Sequence, residues 1–290
     1  MSSLIGVGLA TALLLLVAAG PAAVVLLACR RYGAQRLLAP TVLGSLCIAL
    51  LSDPSLGVAP LVGLIAGFQV ERQQSYGRII GWVALPGALQ ALLFLIGQGG
   101  VPREELIEQF LGQLDGLDWQ SVEDGDALRE VVVYWVHLWV RLLPGFMFVF
   151  TLFTALLAYR LSRIAADRLR VALPEALPLR LWRPWTQLIW VLIGGLALKL
   201  ASSGTTEDLG LNLILVMAII YAVQGMAVGR FYAHRLGVSP LLELVFYLAL
   251  FTSGVGMFLL PALGLMDTWF DWRRLEVASD QTPTEGGEKE

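Results

Sequence analysis

Charge is what this sequence has least of. Only 15% of its 290 residues are Asp, Glu, Lys or Arg, against about 25% in an average soluble domain. Histidine is nearly missing, with His137 and His234 alone and far apart. Cys29 and Cys47 are the only cysteines, and they fit neither a metal-ligand spacing nor a disulfide framework. Both are expected as small, buried apolar residues. No HExxH, GxSxG or Walker A pattern occurs, which removes zincin-like, hydrolase-elbow and P-loop chemistry. Any ATP-driven process would draw on a separate ATPase subunit. The net charge is −3, without a basic, aromatic-rich patch, so nucleic acid is not an expected partner. No catalytic residue, metal site or cofactor is expected, and the chain reads as a non-enzyme.

What is abundant is apolar sequence in long runs. Hydrophobic residues make up 57% of the chain and mean hydropathy is +0.72. AGPAAVVLLA, LVGLIAGF, FMFVFTLFTALLAY and LNLILVMAIIYAV carry no charge. Runs approaching about 20 apolar residues are transmembrane candidates, and in lipid a span must pair its own backbone groups, so these runs are helices. The expected fold is an all-α polytopic transmembrane bundle of about eight spans, with short or broken helices near both ends. Candidate spans are 37–51, 57–70, 79–97, 131–159, 185–202, 210–229 and 239–262, the last either one span or broken near Ser253-Gly254-Val255-Gly256. Before them lies a first unit at 4–29, where Gly20-Pro21 leaves either one kinked span or a span plus a half-helix. That first unit lacks a basic start and reads as a retained helix rather than a cleaved signal. Residues 1–276 are expected as one transmembrane domain. The polar stretch 277–290 is expected as a disordered tail.

The few charges are sorted. Arg30, Arg31 and Arg36 form one basic loop, and Arg72 and Arg78 a second. Arg160, Arg163, Arg168, Arg170, Arg180 and Arg183 form a third, and Arg230 and Arg235 a fourth. Basic loops belong on the cytoplasmic side. The loops between them are acidic or neutral, most strongly at 98–130, the expected extracytoplasmic loop. Within it Leu106, Phe110, Leu111 and Leu114 recur at helical spacing behind Glu104 and Glu105, predicting an amphipathic helix on the outer surface or over a cavity. The partner expected from composition is membrane lipid.

Polar residues inside the spans are the candidates for function. His137 and Arg141 are four apart and share a helix face. Arg141 either snorkels to the outer headgroups, with Tyr134, Trp135 and Trp139 as an interfacial belt, or binds an anion or substrate at depth. Pro144-Gly145 beside it marks a kink. Gln224 and Glu243 complete the proposed cavity lining, although hydrogen-bonded glue between helices is the commoner role for such groups. Gly, Ala and Ser recur at close helical spacing in GVGLATA, GLIAG and GMAVG, which suits tight helix packing. The leading function is a transporter-like protein capturing or moving a small-molecule solute. The rival is a non-enzymatic membrane scaffold or assembly factor docking cytoplasmic partners.

The last apolar stretch ends in GLMDTWFDWRRL. Asp267 and Asp271 are one helical turn apart, Trp269 and Trp272 suit a membrane interface, and Arg273 and Arg274 stop the run. Physically this reads as an amphipathic exit helix pinned at the surface, with Asp271 free to pair with Arg274 or a basic loop. The stretch resembles the carboxy-terminal signature of the YybS-like bacterial multi-pass membrane proteins, carried here by Gly264, Asp267, Trp269, Asp271 and Arg273. Trp272 stands where that pattern favours Phe. GPAAVVLLACRRYG and RLLPGFMFVFTLFTALLAYRL are similar to that family more loosely. At one remove the chain resembles the substrate-binding membrane components of energy-coupling-factor transporters. That resemblance implies a captured small solute, a separate transmembrane and ATPase module, and a bacterial inner-membrane location. It transfers no binding residue.

Overall fold

The computed structural model describes residues 2–51, 54–74, 76–96, 103–114, 124–174 and 178–275. The 277–290 tail and Asp53 lie outside them. The described residues fold as helices: α1 Ser2–Tyr32, α2 Ala34–Leu51, α3 Pro54–Glu71, α4 Tyr76–Leu95, α5 Arg103–Leu114, α6 Gly125–Leu169, α7 Leu188–Ala201, α8 Thr205–Arg235, α9 Pro240–Thr252 and α10 Gly256–Phe270, with a 3-10 turn at Leu179–Leu181. Each apolar unit of the sequence is helical, and the amphipathic segment of the acidic loop is α5.

Proline does not end these helices. Pro21, Pro40, Pro60, Pro86, Pro144 and Pro261 all lie inside them. An interior proline costs a helix in water about 3 kcal/mol, but packed neighbours in a membrane re-pair the freed backbone groups. Of the two forms open at Gly20-Pro21, α1 takes the single helix that runs through it. Among the described residues α4, α6 and α8 are long and apolar enough to cross a membrane. The apolar parts of α2, α3 and α7 fall short, and 14-residue α7 spans about 21 Å against about 30 Å of hydrocarbon. The stretch 239–262 takes the broken of its two expected forms. α9 and α10 are bent by 115° where Gly254 adopts φ +72°, a left-handed turn that glycine makes without steric cost.

The chain packs as two compact units, Met1–Ala176 with Leu198–Asn212, and Leu177–Ala197 with Leu213–Glu290. In the first, α1, α3, α4 and α6 enclose a core that includes Ala22, Leu26, Val62, Ile79, Val83 and Tyr159. Small residues bring the backbones together. A Cβ added at Gly63 would lie 2.2 Å from the Ala22 carbonyl oxygen, and one at Gly67 would lie 2.5 Å from Cys29 Cβ. Cys29 is buried there as expected, whereas Cys47 is exposed.

One end of this unit gathers the α1–α2 turn, the α3–α4 turn and the end of α6. The Ala34 amide donates to Glu71 Oε1 at 2.6 Å. Arg30 Nη2 donates to the Ala172 carbonyl at 2.9 Å. Arg163 and the Tyr159 hydroxyl both donate to the Pro174 carbonyl. In the second unit α8 and α10 meet backbone to backbone. Cβ atoms at Gly225 and Gly264 would each lie 2.0 Å from a carbonyl oxygen, those of Leu260 and Tyr221 respectively.

Candidate functional site: a charge network beside Pro144 of α6

The site begins with Pro144 in the middle of α6. A proline has no N–H, and its ring also disturbs the helical ladder around it. In a regular helix the Gly145 amide would donate to the Arg141 carbonyl. Here the side-chain amide of Asn212, from the second turn of α8, engages both groups. Gly145 N donates to Asn212 Oδ1 at 2.6 Å, and Asn212 Nδ2 donates to the Arg141 carbonyl at 2.8 Å. The same Nδ2 donates to the Asp208 carbonyl at 2.7 Å. One carboxamide thus ties the backbone beside Pro144 in α6 to α8, while α6 stays helical from Gly125 to Leu169.

The charged groups are held by the same two segments. Arg141 Nε donates to Asp208 Oδ1 at 2.5 Å, and its Nη2 lies 3.1 Å from Glu207 Oε1. Arg103, the first residue of α5, donates through Nη1 to Asp208 Oδ2 at 2.5 Å. Lys199 Nζ, from the end of α7, donates to Glu207 Oε1 at 2.5 Å. The turn that brings Lys199 beside Glu207 uses Gly204 at φ +63°, and the Asp208 amide bonds back to the Gly204 carbonyl. Asp208 is 2% exposed, Glu207 23% and Arg141 33%. A carboxylate as buried as Asp208 is tolerated because two guanidiniums compensate its lost hydration. Three cations share two carboxylates, and each carboxylate is shared by two cations. The network can therefore release one partner without stranding a buried charge.

The four candidate lining residues do not form one site. Arg141 is the centre of this network and is not a free snorkelling side chain. His137 shares its helix face but is exposed, with Nδ1 2.9 Å from the Val133 carbonyl. Gln224 and Glu243 belong to the second unit, where each has its own partners. Gln224 Nε2 donates to Asp267 Oδ2 at 2.9 Å, and Glu243 Oε1 lies 4.0 Å from Arg230 Nη1. Arg103, Glu207 and Asp208 were read only as loop charges. Glu207-Asp208 followed at Asn212 by a second polar group on one face is the available signal, but the partners of Asp208, Arg141 and Arg103, are 67 and 105 residues away.

The chain ending is a buried clasp rather than a surface anchor. Asp267 and Arg273 are each 0% exposed and meet at 2.7 Å. Arg273 also donates to the Arg180 and Trp182 carbonyls, and Thr268 donates to Gln224. Asp271 does not share a helix face with Asp267. It ends α10 at φ +42°, and its carboxylate accepts from Arg183 at 3.3 Å, a residue of the large basic loop. Trp269 stays exposed, as an interfacial aromatic would. Gly264 supplies the close approach of α10 to α8. Among the described residues, no three His, Cys, Asp or Glu side chains come together to hold a metal ion.

Apolar crossing helices with interior prolines, and polar groups paired between helices, define an integral membrane protein. The chain belongs to the family described as predicted membrane protein (DUF2232), which matches it over residues 1–268. No curated protein and no solved structure matches it.

Proposed function

We propose that this integral membrane protein is a transporter-like component of the bacterial inner membrane that captures or moves a small solute, without enzymatic chemistry of its own. The observation that carries the reading is the network of Arg141, Asp208 and Glu207 beside Pro144-Gly145 of α6, where Asn212 of α8 bonds two backbone groups. Transporters place solute sites beside irregular stretches of a spanning helix, where backbone groups find partners outside their own helix. Here that stretch lies one turn from Arg141, and ionisable residues on spanning helices are functional candidates by default. The shared carboxylates let the cations exchange partners, as alternating exposure of a site requires. The YybS-like ending, and through it the likeness to energy-coupling-factor substrate-binding components, supports the same reading and implies a separate transmembrane and ATPase module as partner. The test is native mass spectrometry of the protein gently purified from its own membranes. A co-purifying small molecule supports solute capture, and a ligand-free protein with non-ATPase partners contradicts it.

One observation favours a second reading, a membrane scaffold or assembly factor. Gln224, Asp267, Thr268 and Arg273 are committed to one another, and α8 and α10 touch through their backbones, which is the packing of a rigid platform. In that reading the basic loop around Arg180 and Arg183 is the docking surface.

A further inference from the structure

The first unit is electrically polarised along α6. Near the amino end of that helix lie Glu104, Glu105 and Glu108 of α5, Asp126 and Glu130 of α6 itself, and the Glu207-Asp208 pair. At its other end the described residues carry Arg30, Arg31, Arg36, Arg72, Arg78, Arg160, Arg163, Arg168 and Arg170 against only Glu71 and Asp167. Arg30 and Arg163 are spent on backbone carbonyls. The other seven are exposed, and Glu71, the nearest carboxylate to the turns, accepts from the Ala34 amide.

The three segments bearing these arginines are neighbours. The Ala34–Glu71 bond joins the α1–α2 turn to the end of α3, and the Arg30–Ala172 bond joins the end of α1 to the chain leaving α6. The rim borders exposed apolar side chains, Tyr32, Leu38, Trp82, Ile164 and Leu169, which in an integral membrane protein face acyl chains. Tyr32 and Trp82 are the residue types that settle at the headgroup level. Arg31 lies 5.7 Å over the Tyr32 ring, which holds that guanidinium at the same level.

We propose that this arginine rim is a binding surface for anionic phospholipid headgroups of the cytoplasmic leaflet. Guanidinium groups match phosphate oxygens bidentately and are weakly hydrated. Clustered basic side chains beside a span attract anionic lipid over zwitterionic lipid by roughly 1 kcal/mol each, about fivefold per residue. A phosphodiester has its charge at the boundary where the arginines sit, while its acyl chains lie against the exposed Ile164 and Leu169. The surface stands independently of the solute-capture reading, because it uses neither α8 nor the Arg141 network.

The test uses the full chain in nanodiscs of equal phosphatidylglycerol and phosphatidylcholine, released and counted by native mass spectrometry. The wild type is expected to retain phosphatidylglycerol in several-fold excess, with the excess falling as salt rises. Combined Arg36→Gln, Arg72→Gln and Arg168→Gln is expected to bring the ratio of the two lipids close to one while circular dichroism stays unchanged. Arg→Lys at the same positions is expected to keep part of it. Equal retention of the two lipids by the wild type overturns the proposal. So does an excess that survives the triple substitution, or a triple variant that loses a co-purifying protein and no lipid.

Discussion

Asp267 and Arg273 form an ion pair at 2.7 Å with both side chains fully shielded from solvent. Six residues apart, they cannot share a regular helix face. They meet because α10 stops at Asp271, in the left-handed region at φ +42°, and Arg274 at φ +50° turns the chain again. The pair is satisfied on all sides by Gln224 and the Arg180 and Trp182 carbonyls.

Removing one partner leaves an uncompensated buried charge. Asp267→Ala is expected to destabilise the protein by about 3–5 kcal/mol, read as a large drop in thermal midpoint in detergent. Asp267→Leu with Arg273→Met is expected to recover much of the loss, because burying an ion pair costs desolvation. A double variant no more stable than Asp267→Ala would argue against a simple electrostatic clasp.

Asn212 is expected to matter more than its single polar side chain suggests. Asn212→Ala removes a side-chain partner of the Gly145 amide and of the Arg141 carbonyl, at up to about 1–3 kcal/mol for each group it strands. Hydrogen exchange at Gly145 is the direct readout, and acceleration there without global unfolding is the expected result. Unchanged exchange would mean that α6 re-forms its ladder without help.

Glycines divide by what surrounds them. Gly264→Ala places a Cβ against the Tyr221 carbonyl oxygen, at 2.0 Å before relaxation, and is expected to cost roughly 1–3 kcal/mol as α10 is pushed from α8. Gly44→Ala meets nothing within 4 Å and lies inside α2, so it is expected to be neutral or stabilising by up to about 1 kcal/mol. Thermal midpoints of the two variants check the contrast, and similar losses for both would contradict it.

His137 and Arg141 share a helix face in the sequence but differ in the structure. His137→Ala removes one exposed side chain and is expected to change stability by less than about 0.5 kcal/mol. Arg141→Gln removes the common partner of Asp208 and Glu207 and is expected to loosen α5, held to this network through Arg103. Limited proteolysis near residue 103 reads that loosening. Equal protease resistance in the two variants would speak against the network.

The helices were legible because lipid imposes them. Apolar runs, loop charges and the Leu106–Leu114 spacing located every element from α2 to α8. Length and continuity were less legible. Pro21 looks like a break in one dimension, yet packed neighbours carry the helix through it. Hydropathy leaves Ser253-Gly254 open to either one span or a break, and Gly254 turns the chain. The site was legible in part. Arg141 stood out as a charge inside a span, but its partners Glu207 and Asp208, and Arg103 that shares Asp208 with it, belong to segments distant in sequence. The ending Asp267–Arg273 was visible as a motif, while its burial depended on a left-handed residue that no periodicity reveals.

The most direct measurement is native mass spectrometry of wild type and Arg141→Gln, each gently purified from its own membranes, with Gly44→Ala as a folded control. The account predicts one small molecule bound to wild type and control and lost from Arg141→Gln, whose circular dichroism remains helical. A small molecule retained equally by all three would place capture elsewhere. A wild type bearing only non-ATPase protein partners would contradict solute capture itself.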